Sequence, residues 1–407
     1  MDGSGAACGA GMKPPRVPPR FWAAVLGLLL VCSSCDRPEG RAPEASEAES
    51  AGATQAGPLI DPASVTVTQT FELTDAAASR AELQQPRDLA LGEGGALYVL
   101  DFEAPDHAQV VAFDASGAFS YRFGEKDDRA DRVGPSDQFA VTPWKYVMFV
   151  DGISNALTSF LTLGTYVSTA GLTGVGMAVL PMPEYGHFYL KKWDPARRRA
   201  YVVHMQLPVD SLTMVYEVTL PPGQSVRKDA RDVSFHTASD HEGRLYVAFA
   251  DVYQVRVLDA NGATVRLVQS SRRAVAKNPR ELEAERDELM ARLRRQVGDV
   301  SDSLLQDAAT PDTLFPLIEE LSVDPAGRLW VRTHRAERAA GSVYDVFNEQ
   351  GQLISWVAVP AVVRKTAFSS AGRLYVIDER NPERPRIVGY DVEFAPMPEP
   401  AEVAGGG

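Results

Sequence analysis

The sequence predicts an all-β fold, a six-bladed β-propeller built from four-stranded blades, and two observations carry that expectation. The first is a repeat. Gly243-Arg-Leu-Tyr-Val247, a short strand entered from a polar turn, returns as Gly327-Arg-Leu-Trp-Val331 and Gly372-Arg-Leu-Tyr-Val376, and more loosely as Gly95-Ala-Leu-Tyr-Val99. With one central aromatic taken per unit (Tyr98, Phe149, Tyr201, Tyr246, Trp330 and Tyr375), the intervals are 51, 52, 45, 84 and 45 residues. A period of about 45–50 residues is that of a propeller blade, and 84 is one period plus an insertion. The second observation is a mismatch at the two ends. The last unit is one strand short, while a spare strand precedes the first.

Along the chain, Lys13, Arg16 and Arg20 lead into an apolar run, Phe21–Val31, which ends at Cys32-Ser-Ser-Cys35. The run is too short to span a bilayer, which needs about 20 residues. Positive charge, short apolar core and small residues, in that order, read as a secretory signal; a start at Met12 would make it compact. Ser33-Ser34-Cys35 resembles the lipobox of bacterial lipoproteins, with Cys32 at the position usually held by Leu. That resemblance implies a signal peptide over 1–35 and a lipid on Cys35. Ordinary cleavage near Ser34, releasing a soluble periplasmic protein, is the alternative. Residues 36–60, rich in Ala, Glu, Ser, Gly and Pro without apolar periodicity, are expected to form a disordered tether. All three cysteines (Cys8, Cys32 and Cys35) precede the globular part, which must therefore be held by burial and strand pairing alone.

The propeller is expected over 61–396. Its first unit reads as strands at 88–91, 96–100, 109–113 and 118–123, with Asp114-Ala-Ser-Gly117 as the last hairpin, where glycine supplies a positive φ. Units two (about 137–170) and three (about 180–225) match more weakly, and unit three carries a polar hairpin at Trp193–Arg199. Unit four repeats the first at 233–235, 244–249, 254–258 and 263–268. Unit five follows at 321–323, 328–332, 342–347 and 352–357. Unit six offers only 366–368, 373–377 and 386–394, and Ser64–Thr74 is expected to supply its fourth strand. That pairing closes the ring and hides the exposed edges. Residues 397–407 read as a disordered tail.

Between units four and five lies a helical insertion, 275–312. Asn278 as N-cap, Pro279 in the first turn and Glu281 three residues after the cap predict a helix start, and Gly298 a stop. Leu282, Leu289, Met290, Leu293 and Val297 fall on one stripe. A second short turn of helix is expected at 302–306. The insertion can serve as a flap packed on the propeller, a lid over its funnel or a docking element.

The turn Asp-x-x-Gly-Arg-Leu-Tyr/Trp-Val, with its following hairpin, resembles the NHL-type six-bladed propellers of bacterial lipoproteins over about residues 64–394. Gly134-Pro135-Ser136-Asp137-Gln138-Phe139 is similar to a Gly-Pro-Gly-Glu-Phe link found between the first two blades of such proteins. Ser136 and Asp137 depart from it, so the resemblance implies a link and no site. It speaks for fold and little for function, since propellers host many activities.

The chain carries a net charge of −13; residues 1–35 hold +2, leaving −15 on the remainder. That disfavours nucleic acid, whose binding needs clustered Lys and Arg. No nucleophile elbow, zincin motif, cysteine metal spacing or phosphate loop is present. Asp101, Asp151 and Asp251 each end a second strand and read as turn caps. Arg197–Arg199 reads as a solvated hairpin tip. His236 and His241 stand at a strand end and a turn. Lactonases and amidating lyases share this fold and gather Glu, Asn, Asp or His around a metal on the channel axis; the inner strands here offer no such set. Arg87, Asp88, His236, Glu319, Glu320, Arg364 and Lys365 stand near strand ends and are expected to line a polar funnel. The sequence therefore points to a binding or scaffolding module, not an enzyme, with no cofactor and no metal. It would be lipid-anchored in the bacterial envelope, facing periplasm or exterior, with a protein, peptide or glycan partner. A metal-dependent hydrolase or lyase of the lactonase type and a peptide- or glycan-sensing domain are the alternatives.

Overall fold

The computed structural model describes residues 58–104, 107–124, 138–151, 155–173, 175–194, 196–207, 212–219, 235–297, 309–334 and 341–395. The expected signal peptide with Cys35, the expected tether before residue 58, the expected link at 125–137, the expected helical turn at 302–306 and the expected tail at 397–407 lie outside them.

Six four-stranded antiparallel sheets form the blades. The first comprises β2 (Pro86–Leu91), β3 (Leu97–Ala104), β4 (His107–Phe113) and β5 (Phe119–Phe123); the second β6 (Phe139–Val141), β7 (Tyr146–Asp151), β8 (Ala156–Leu161) and β9 (Tyr166–Gly171). The third holds β10 (Val175–Pro181), β11 (His187–Asp194), β12 (Arg199–Gln206) and β13 (Leu212–Thr219). The fourth holds β14 (Phe235–Ser239), β15 (Leu245–Phe249), β16 (Gln254–Leu258) and β17 (Thr264–Gln269). The fifth holds β18 (Glu320–Val323), β19 (Leu329–Thr333), β20 (Ser342–Phe347) and β21 (Leu353–Val359). The innermost strands β2, β6, β10, β14 and β18 each contact the next around the axis, and β22 (Val363–Phe368) joins β18 back to β2.

Ring closure follows the expected route. The sixth blade is β22, β23 (Leu374–Asp378) and β24 (Arg386–Phe394), completed by the N-terminal strand β1 (Val65–Glu72). β1 runs antiparallel to β24, from Val65 opposite Phe394 to Glu72 opposite Val388. Just before it, Leu59 and Ile60 donate backbone N–H bonds of 3.0 and 2.8 Å to Leu353 and Ile354 of β21. The first strand of the chain is thereby fastened to its last two blades. After β1 a short helix, α1 (Asp75–Arg80), starts at Thr74, whose hydroxyl accepts from the Ala77 N–H; its alanine run carries no strand pattern.

Burial is organised as six layers, one between each pair of neighbouring blades. The repeated aromatic supplies much of it. Trp330 is 1% exposed and meets Tyr344 edge-on at 5.8 Å, and burying one such side chain is worth about 2–3 kcal/mol.

The rest of the repeat is wiring. Asp324 Oδ1 accepts the N–H groups of Ala326 and Arg328, while Oδ2 accepts Arg328 Nε at 2.6 Å and Trp330 Nε1 at 2.9 Å. Asp240 repeats the arrangement in blade four with Glu242 N, Arg244 N, Arg244 Nε and the Tyr246 hydroxyl. The glycine between, Gly327 or Gly243, takes a φ of 75° or 78°, which completes the turn at no steric cost. Blade six has Ser369 in place of the aspartate: its hydroxyl still accepts Arg373 N–H, but the Arg373 side chain turns to Asp391 instead.

Blade three departs from the sequence marker. Tyr201 lies on the third strand, β12, not the second. The second strand contributes Tyr189, fully buried, with its hydroxyl donating to Gly243 O at 2.6 Å. Blade three has no Gly-Arg-Leu turn, and the Trp193–Arg199 hairpin, which joins β11 to β12, imitates one ahead of Tyr201.

The insertion contains α2 (Pro279–Val297). Asn278 Oδ1 accepts Arg280 and Glu281 N–H, and Glu281 Oε2 accepts Asn278 N–H, a complete capping box. Leu282, Leu289 and Met290 of its stripe are half-buried. The two ends of the insertion pair through an Ala276–Leu314 bridge, with Lys277 N–H donating to Thr313 and Phe315 N–H to Val275. Arg272, just after β17, ties the segment before the insertion to blade five through Asp345 at 2.9 Å and Thr333 at 3.0 Å.

Candidate functional site

Each inner strand begins at the face where one blade hands over to the next, so residues at those starts converge on the axis. A cavity of about 590 Å³ lies there, and all seven polar residues expected at the funnel line it: Arg87, Asp88, His236, Glu319, Glu320, Arg364 and Lys365. Every inner strand contributes to the wall. Sequence reasoning missed Lys191, Arg332 and Glu379, which also line it.

Lys365 is the hub. Its ammonium stands 3.7 Å from Asp88 Oδ1 and 3.8 Å from Glu320 Oε1, bridging blades one, five and six. Asp88 is buried and accepts backbone N–H bonds from Leu89 at 2.9 Å and from Phe139, in the next blade, at 3.0 Å. Burial pushes the Asp88 carboxyl above its usual range, against the pull of Lys365. Burial also works against the Lys365 charge, but Asp88 and Glu320 outweigh it and hold the ammonium above its ordinary value. Glu320 is held by Thr366, which donates its N–H at 3.1 Å and its hydroxyl at 2.8 Å.

Around this hub the remaining charges are tied to neighbouring blades. Arg332, near the end of β19, donates to the backbone oxygens of Val363 and Arg364 in blade six and stands 3.7 Å from Glu319 and 3.5 Å from Glu320. Arg364 bonds Arg87 O at 3.1 Å and pairs with Glu379. Lys191 donates to Phe235 O and lies 5.1 Å over the Phe235 ring. His236 is half-buried, with one side open to the cavity. Burial, then the Lys191 and Arg332 charges, push its imidazole down to about 3, with Glu319 opposing, so the ring is neutral at pH 7.

The insertion reaches the wall of the cavity through stacked rings. Phe315 lies flat on His334 at 3.5 Å, Lys277 sits 5.3 Å over Phe315, and His334 Nδ1 is 3.8 Å from Glu319 Oε1. His241, by contrast, is an exposed turn residue, and the cavity does not include it. Asp101 acts as a turn cap, accepting Gln84 and Gln85 N–H.

A lactonase-type metal centre would need several carboxylate, amide or imidazole donors turned to one point on the axis. Among the described residues no group of three or more His, Cys, Asp or Glu is placed to hold a metal ion. Asp88 and Glu320 face Lys365 and hydrogen-bond donors of the protein, so the residues present do not fit such a centre. Nor is any helix of the described residues long and apolar enough to cross a membrane.

No family model matches the sequence, and no curated protein does. Among solved structures, a member of the DUF4221 family from Bacteroides vulgatus is 11% identical, with 82% of this chain and 100% of that one covered at a TM-score of 0.50. A protein described as exported, from Bacteroides fragilis, is 10% identical, with 82% and 96% covered at 0.50. A gluconolactonase from Xanthomonas campestris is 15% identical over 80% and 95%, at 0.44, too distant to bear on chemistry here. At such identities the likeness is one of architecture: the chain shares the six-bladed propeller fold with the two Bacteroides proteins.

Proposed function

We propose that this chain is an exported, lipid-tethered β-propeller of the NHL type, acting as a binding module in the bacterial cell envelope, with the axial cavity as its binding site. The observation that carries the proposal is convergence. Seven polar residues from four blades, each at or beside the start of an inner strand, line one cavity on the face where the blades connect. A concave site with a few placed polar groups is where ligands bind. Its charges are held in place by backbone and cross-blade contacts, which suits recognition better than proton transfer. The export signal and Ser33-Ser34-Cys35 support the tether, and the partner would be a protein, peptide or glycan of the envelope.

Two measurements test this. Cys35→Ala should move the protein from the membrane fraction to the soluble one; unchanged fractionation removes the lipid anchor. Thr237→Trp, placed in the cavity wall, should abolish binding of the peptide or glycan recovered with the wild-type protein. Undiminished binding by that folded variant would place the site elsewhere.

A further inference from the structure

We infer that the axial cavity takes its ligand through an anionic group, a carboxylate or a phosphate, seated between Lys365 and His236; this rests on the cavity being the binding site proposed above. The charge census favours it. Five cations line the wall: Arg87, Lys191, Arg332, Arg364 and Lys365. Four carboxylates, Asp88, Glu319, Glu320 and Glu379, face them. The cavity is therefore one charge positive at the centre of a chain of −13.

The division of hydrogen bonds is more telling than the count. The carboxylates already have donors from the protein. Asp88 takes the Leu89 and Phe139 N–H groups, Glu320 takes two donors of Thr366, and Glu379 takes Arg364. Glu319 stands against Arg332 and His334. Lys365 differs. Its neighbours at 3.7 and 3.8 Å lie beyond hydrogen-bond length, and its side chain is 30% exposed, towards the cavity. An ammonium has three N–H groups to give, and beside its two ion pairs Lys365 can offer them to the cavity that it lines.

His236 is the second open donor. Its ring lines the cavity and makes no hydrogen bond to any described residue. Burial, with the Lys191, Arg332 and Lys365 charges adding to it, keeps the ring neutral, so it can offer an N–H to an anion. An organic cation would meet the same positive field and find the acceptors already engaged. Charge-assisted bonds from Lys365, with a neutral imidazole as auxiliary donor, fit a carboxylate or phosphate oxygen.

The test is thermal unfolding of the full chain at constant ionic strength with citrate, inorganic phosphate or putrescine, followed by calorimetric titration. We expect citrate or phosphate to raise the melting temperature and putrescine to leave it unchanged. A shift with citrate alone marks a carboxylate ligand, and one with phosphate alone a phosphate-bearing ligand. Lys365→Gln and His236→Phe should each weaken anion binding at least about tenfold, the loss expected for one charge-assisted bond. The contrast between anions and putrescine needs no variant and holds even if Lys365→Gln does not fold. Stabilisation by putrescine without either anion overturns this inference and leaves the cavity a binding site. No shift with either anion overturns it as well. Anion binding that persists in Thr237→Trp removes the cavity itself, and with it the proposed function.

Discussion

Changing Asp324 to asparagine should destabilise the propeller far more than its small steric change suggests. The side chain is fully covered and accepts four bonds, two per oxygen. An amide keeps one acceptor and turns the other into a donor. If the oxygen stays with Ala326 and Arg328 N–H, the NH₂ faces Arg328 Nε and Trp330 Nε1; if it flips, it faces the two backbone N–H groups. Either way two donors lose their partner. Trp330 is buried and cannot recruit water, while Arg328, 26% exposed, recovers some solvation. One orphaned buried donor costs about 1–3 kcal/mol and a lost bond to a charged acceptor about 1.5–3 kcal/mol. After discounting the arginine, the total is about 2–4 kcal/mol. Urea unfolding followed by circular dichroism measures it. Asp114→Asn, in an exposed hairpin where the same backbone bonds fall on one oxygen, is the comparator and should cost far less than Asp324→Asn. Coupling with Trp330→Phe in a double-mutant cycle should be about 1 kcal/mol. An Asp324→Asn effect no larger than that of Asp114→Asn would refute the wiring as the reason for the repeat.

Two further outcomes follow from the same structure. Removing 65–72 strips β24 of its partner and undoes the closure of blade six by the N-terminal strand, so the melting transition should fall and broaden; an unaltered melt rejects closure by β1. His236 makes stability depend on pH with a defined sign. Its folded value is depressed to about 3, so the unfolded chain takes up a proton near 6.5 and the folded chain does not. The contribution is complete above 6.5 and is lost as pH falls towards 3, amounting to up to about 2 kcal/mol between pH 7.5 and 5. His236→Gln should flatten that part of the urea-midpoint profile, and an unchanged slope would show that the imidazole titrates freely.

The blade period was legible because a propeller repeats its turn chemistry: Asp324 and Asp240 demand an arginine four residues on and an aromatic six residues on. Closure by β1 was legible as an unmatched strand and an unmatched gap. The seven cavity residues could be found because strand starts beside turns must converge on the axis. Lys191 and Arg332 could not, since each stands on a second strand and owes its place to a carbonyl oxygen contributed by the next blade, Phe235 or Val363. Blade three misled for a related reason. Its β11–β12 hairpin supplies a polar turn and an aromatic in the right order, and only strand pairing shows that the turn is the wrong one.

The central claim is that the axial cavity holds a ligand. Native mass spectrometry of the full chain purified from its own cells, beside Thr237→Trp prepared identically, tests it most directly. The account predicts a bound ligand at one per chain in the wild type and none in the variant. Equal occupancy in the two, or no bound molecule in either, would contradict it.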